Sequence, residues 1–146
     1  MIVWLHGNGE GGVGEYQNNL SPMLANRGVV AWAEESTQAI FGSAYVLAPQ
    51  VPDSWYFNVK QQYLSKLKAL IDEITKQYPI DESRIYLVSA SAGGYMAIRM
   101  AIEYPHVFAT IHASAPALDK AAIAGGVATT AEELHALSNK ALCLAI

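Results

Sequence analysis

The chain has 146 residues, 52% of them hydrophobic and 15% charged, which is enough apolar material for one domain with a core and too little charge for a disordered segment. A formal net charge of −4, with the Lys and Arg residues scattered, argues against nucleic acid as a partner. No apolar run approaches the roughly 18 residues of a membrane helix, and the single cysteine, Cys143, excludes an internal disulfide and a cysteine metal cluster.

Ile2 to Leu5 is a short apolar run, the pattern of a strand buried on both faces. Met1 to Leu5 lacks the basic start and cleavage site of a signal peptide. The run leads into His6-Gly7-Asn8-Gly9-Glu10-Gly11-Gly12. Three readings fit this loop. Its glycines would let the backbone approach a substrate oxygen, with the Asn8 N–H as donor. Gly7, Gly9 and Gly12 also satisfy the G-x-G-x-x-G spacing of a dinucleotide-binding turn, with Glu34 near the place of a ribose-binding acid. Glu10, however, would set a negative charge where a pyrophosphate must lie. The third reading is a plain flexible turn.

Val29 to Trp32 fits either a strand or a loop. Tyr45 to Ala48 reads as a second strand. Leu64, Leu67, Leu70, Ile71 and Ile74 recur at spacings of three and four, one face of a helix, which Pro79 ends. Trp55 and Tyr56, ahead of that helix, read as packing residues.

Ile85 to Val88 is the next strand. It runs through Ser89-Ala90-Ser91-Ala92-Gly93-Gly94 into a helix that Tyr104-Pro105 stops near Glu103. A strand, a turn of small residues and a helix are the layout of a nucleophile elbow, usually G-x-S-x-G. Ser91 takes the nucleophile's place, and Ser89 stands where the first glycine is usual. Taken alone, the motif also fits a small-residue connection without chemistry; the strand before it and the helix after it favour the elbow. The Ala92 N–H, at the start of the helix, would face an oxyanion. Val107 to Ala113 is a fourth strand. Thr129, Thr130, Glu132 and Glu133 offer overlapping capping-box spacings for a helix ending near Ser138-Asn139. Leu142 to Ile146 is a fifth strand, with Cys143 as a small packed residue. Strands alternating with helices predict an α/β fold: a three-layer αβα sandwich around a mostly parallel sheet of about five strands, one domain over 1–146.

Leu5-His6-Gly7-Asn8-Gly9-Glu10-Gly11-Gly12, Tyr45-Val46-Leu47-Ala48-Pro49-Gln50, Asp81-Glu82-Ser83-Arg84-Ile85-Tyr86-Leu87-Val88 and Ser91-Ala92-Gly93-Gly94-Tyr95-Met96-Ala97 come in this order, followed by Tyr104-Pro105 and Phe108-Ala109. Together they resemble the feruloyl/acetyl-xylan esterase and predicted-peptidase branch of the α/β-hydrolases. The resemblance implies a serine esterase acting on a small-molecule ester by acyl transfer. Ser91 would be the nucleophile, the N–H groups of Asn8 and Ala92 the oxyanion hole, and Trp55 a neighbour of the substrate cleft. No metal or organic cofactor is implied, and relatives in this branch are often secreted.

In the resemblance the triad's acid follows the strand of Leu142 to Ile146 and the histidine comes later still, while Met1 falls at the third strand. The chain therefore reads as the middle of a longer enzyme. Asp119 and His135 keep the triad's order as substitutes, although His135 reads as a solvated helix residue. His106 reads as a surface residue, His112 as a satisfied core histidine and His6 as an orienter of the glycine loop. A serine without a base stays protonated, so an inactive scaffold with a binding role is the rival reading, and a dinucleotide-binding domain the third. The strands at Tyr45 to Ala48 and Leu142 to Ile146 would lie at the sheet edges, apolar and unpaired, which predicts a homo-oligomer.

Overall fold

The computed structural model describes residues 1–12, 20–119 and 125–145. Strand β1 (Ile2–Leu5) is followed by three short helices, α1 (Leu20–Asn26), α2 (Gly28–Ala33) and α3 (Glu35–Phe41), and by the two-residue strand β2 (Val46–Leu47). A single 3₁₀ turn at Trp55–Phe57 precedes α4 (Asn58–Gln61) and the long α5 (Tyr63–Gln77). Then come β3 (Tyr86–Ala90), α6 (Ala92–Glu103), β4 (Thr110–Ser114), α7 (Ala131–Ala136) and β5 (Leu142–Ala145). Ile146, the last residue of the predicted fifth strand, lies outside the described residues.

The five strands form one sheet in the order β2-β1-β3-β4-β5. Every pairing is parallel, with Val3 opposite Leu87, Val88 opposite His112 and Ala113 opposite Leu144. The predicted α/β sandwich and the edge positions of β2 and β5 are both observed. Continuous apolar runs suit this arrangement because helices cover both faces of a parallel sheet. On one face Val3, Leu5, Leu87, Ile111 and Ala113 share a core with Leu67 and Ile71 of α5 and with Tyr95, Met96 and Ile98 of α6. Fully burying a side chain such as Ile71 contributes about 1.5–3 kcal/mol. On the other face α2 packs on β1 and β2, and Phe41 of α3 meets Tyr86 of β3 with ring centroids 5.8 Å apart.

Two local expectations change. Val29 to Trp32, read as strand or loop, is helical, part of α2. The fourth strand begins at Thr110 rather than Val107, because Pro105 to Val107 form the turn that leaves α6. Helix α5 ends as predicted: Tyr78 is extended, as the residue before Pro79 must be.

Candidate active site

Strand β3 delivers the chain to Ser91 at the C-terminal edge of the sheet. Ser91 has φ 54° and ψ −114°, a conformation that L-residues avoid and that costs on the order of 1–3 kcal/mol. Its neighbours hold it there. The Ser91 N–H donates to the Ser114 carbonyl at the end of β4 (2.9 Å), and the Ser91 carbonyl accepts the Tyr95 N–H as a first bond of α6 (3.1 Å). A Cβ on Gly93 would lie 2.2 Å from the Leu5 carbonyl oxygen and 2.6 Å from that of His6, so only glycine lets α6 start against the end of β1. Ser89, in the place of the usual first glycine, is fully buried; its hydroxyl donates to the His112 carbonyl (3.1 Å), so no polar group is stranded.

The glycine loop is braced beside this turn. His6 is buried, with its Nε2 accepting the Val51 N–H (3.3 Å). That bond places the ring proton on Nδ1, which donates to the Gly7 carbonyl (2.7 Å). Burial pushes the His6 pKa down, against smaller opposing effects from the Gly7 carbonyl and Glu10. The ring is thus a neutral strut that ties the loop to the segment after β2 at Val51, the orienting role expected of it. Gly7 donates its N–H to the Glu10 carboxylate (2.6 Å), and a Cβ built on Gly7 would be 3.7 Å from the Cβ of Ser91. Gly11 presses on the Asp53 carbonyl, where a Cβ would come within 2.2 Å, and Gly12 donates to Val51 (2.8 Å). This geometry is poor for a dinucleotide: Glu10 occupies the Gly7 N–H, and Glu34 pairs with Arg27 at the surface (2.9 Å).

The segment after Val51 forms the third wall. The Ser54 hydroxyl caps the turn of Trp55–Phe57 by accepting the Tyr56 N–H. Trp55 is packed between His6 (5.3 Å between centroids) and Tyr63 (5.8 Å), the packing role read from sequence. Its indole N–H has no partner among the described residues. Tyr56 does more than pack. Its ring lies 5.5 Å from that of Tyr95, and its hydroxyl is near enough to Ser91 for that side chain to influence its ionisation. Burial raises the Tyr56 pKa; the nearby Ser91 hydroxyl lowers it by less, and Tyr95 adds to the rise. The available sequence signal was the phenol itself, since a buried tyrosine needs a partner for its hydroxyl.

Asn8 is exposed at the tip of the glycine loop, and Ala92 is buried as the first residue of α6, whose first-turn N–H groups have no intrahelical acceptor. Asp119 is exposed beyond β4, and His135 is exposed on α7. Among the described residues neither is bonded to Ser91. His106 is exposed, and the His112 Nε2 is satisfied by the Ser114 hydroxyl (2.9 Å). Cys143, expected to be packed, is exposed because β5 is an edge strand. The described residues hold no group of three or more His, Cys, Asp or Glu suited to a metal, and no helix among them is long and apolar enough to cross a membrane.

Residues 15–134 match the prolyl oligopeptidase family. No curated protein sequence matches the chain. Among solved structures, a thermostable esterase superposes with a TM-score of 0.67 at 24% identity, over 98% of this chain and 44% of the esterase. The esterase Est22 is similar at a TM-score of 0.41 and 17% identity, over 80% of this chain and 35% of that one. The chain therefore spans less than half the length of either esterase.

Proposed function

The chain belongs to the prolyl oligopeptidase family of α/β-hydrolases, and from that footing we propose that it is a carboxylic-ester hydrolase working by acyl transfer through Ser91. The observation that carries the reading is the backbone of Ser91, held at positive φ between β3 and α6 with Gly93 against the Leu5 carbonyl. A strained turn that projects a hydroxyl at the head of a helix is costly to keep without a use. Ser91 attacks the ester carbonyl, the backbone N–H groups of Ala92 and Asn8 hold the oxyanion, and water releases the acid. Donors of this kind are each worth roughly 10²–10³ in rate. The proton leaving Ser91 needs a base, and Tyr56, whose pKa burial raises, is already protonated near neutral pH and cannot serve as one. Oxyanion hole and binding alone sustain roughly 10³–10⁴ over water.

Hydrolysis of p-nitrophenyl acetate and butyrate by the protein, compared with Ser91→Ala, tests the assignment. Activity that disappears in the variant supports it; full activity in Ser91→Ala defeats it.

The second reading is a non-catalytic scaffold. It is favoured by one observation: among the described residues no histidine or carboxylate is hydrogen-bonded to Ser91, and His135 and Asp119 are exposed elsewhere. A fluorophosphonate labels only an activated serine and so separates the two. Self-association through the sheet edges belongs to either reading, since Leu144 on the edge strand β5 is 46% exposed. Light scattering at micromolar concentration that returned a monomer would remove it.

A further inference from the structure

The Asn8 N–H, the loop donor of the proposed acyl transfer on which this inference rests, sits in a segment with little stiffness of its own. Four of the seven residues 6–12 are glycine, and Gly9 is at φ 85°. Glycine loses more backbone freedom on ordering than any other residue, so such a loop keeps one shape only where its neighbours hold it. Asn8 and Gly9 form the centre of a turn over residues 7–10, and both are exposed. Packing therefore does not fix them, and the turn is aimed by its two ends. At one end Gly7 lies against the nucleophile, with its Cβ position 3.7 Å from the Cβ of Ser91. At the other end stands Glu10.

The Glu10 end is gripped from outside the loop. The side-chain amide of Gln50 donates to the Glu10 carbonyl (2.9 Å), across 40 residues of sequence. The Glu10 carboxylate in turn accepts the Gly7 N–H (2.6 Å), which joins the two ends of the turn. The next residue, Val51, holds the loop's flanks, its N–H donating to His6 Nε2 (3.3 Å) and its carbonyl accepting the Gly12 N–H (2.8 Å). Gln50 and Val51 are consecutive and follow β2, so the pairing of β2 on β1 sets where the whole loop lies. We propose that Gln50 is a positioning residue for the acyl transfer, its amide fixing the turn of residues 7–10 so that the Asn8 N–H is aimed at the oxyanion before substrate arrives. Gln50 acts through the turn and not on the substrate. An oxyanion donor works because it is preorganised, and a displacement of about 1 Å can cost on the order of 10²-fold in rate.

The test compares wild type with Gln50→Met and Gln50→Glu. Methionine keeps the length of the side chain and cannot donate; glutamate keeps its shape and sets a carboxylate against the Glu10 carbonyl. With p-nitrophenyl acetate at neutral pH, Gln50→Met should lower kcat roughly 10-fold, and Gln50→Glu should lower it further. KM should stay nearly unchanged in both, because the donor acts on the transition state. In nitrogen-15 relaxation the Asn8 and Gly9 amides of Gln50→Met should fall from an order parameter of about 0.85 toward 0.6, with the amides of β3 unaffected. A side chain that only filled space would leave kcat at the wild-type value in both variants. Wild-type kcat in Gln50→Met overturns the proposal, and so do unchanged order parameters at Asn8 and Gly9 or a Gln50→Glu protein more active than Gln50→Met. A wild-type protein that neither hydrolyses the ester nor takes up a fluorophosphonate overturns the esterase reading and the positioning role with it. The two failures are distinct, because in the first the wild type remains active.

Discussion

Gly93 and Leu5 meet backbone to backbone: a Cβ on Gly93 would stand 2.2 Å from the Leu5 carbonyl oxygen. The start of α6 and the end of β1 therefore approach as closely as main chains allow, and this approach brings the glycine loop alongside Ser91. Gly93→Ala forces the helix and the strand apart, and neither is the flexible end of a side chain. A loss of at least about 2 kcal/mol is expected in urea unfolding. Unchanged stability would mean that α6 can withdraw from the sheet.

Ser91→Ala and Ser91→Gly both delete the hydroxyl, but only glycine relieves the backbone at φ 54°. Ser91→Gly should be the more stable of the two by about 1–3 kcal/mol. Both should be inactive. Equal unfolding midpoints would show that the turn relaxes without help from glycine.

His6 is buried and neutral, with its pKa pushed down by burial. The unfolded chain binds a proton on this group near pH 6.5, and the folded chain only at lower pH. Its contribution to stability is therefore fully present above about pH 6.5, falls as pH drops from there through the lowered folded value, and is level below it. Asp81 and Glu133, whose pKa values are lowered, act in the same direction but over the carboxylate range below. His6→Asn should flatten the stability profile on the acid side of about pH 6.5. A slope identical to wild type would place the titrating group elsewhere.

Glu133 serves two contacts. Its carboxylate accepts the Thr130 N–H to complete the capping box of α7 (2.9 Å) and pairs with Arg99 of α6 (2.8 Å), a partly buried bridge that ties α7 to the nucleophile's helix. The capping bond and the guanidinium together hold its pKa down. Glu133→Ala loses both contacts and should cost about 1–2 kcal/mol, whereas Glu133→Gln keeps an acceptor for Thr130 and should cost less. Denaturant titration of the two variants checks the order; equal losses would mean that the ion pair carries nearly all of the effect.

The sequence by itself determined the strands, their parallel pairing and the place of Ser91. Strands buried on both faces must be apolar throughout, and the elbow's demand for small residues is local, so both leave their marks in consecutive residues. Val29 to Trp32 left no such mark. Five apolar residues between Gly28 and Glu34 show no period, and packing of α2 on β1 and β2 made them helical. Ser89 in place of glycine was decided by a long-range partner, the His112 carbonyl across the sheet. Tyr56 is the clearest case. It stands 35 residues before Ser91, and its composition and spacing match a packing residue. Only the fold, by pressing the Val51–Phe57 segment between the glycine loop and α6, set it against Tyr95 of the nucleophile's helix. A contact between two side chains far apart in sequence depends on where several elements meet, and tertiary packing alone decides that.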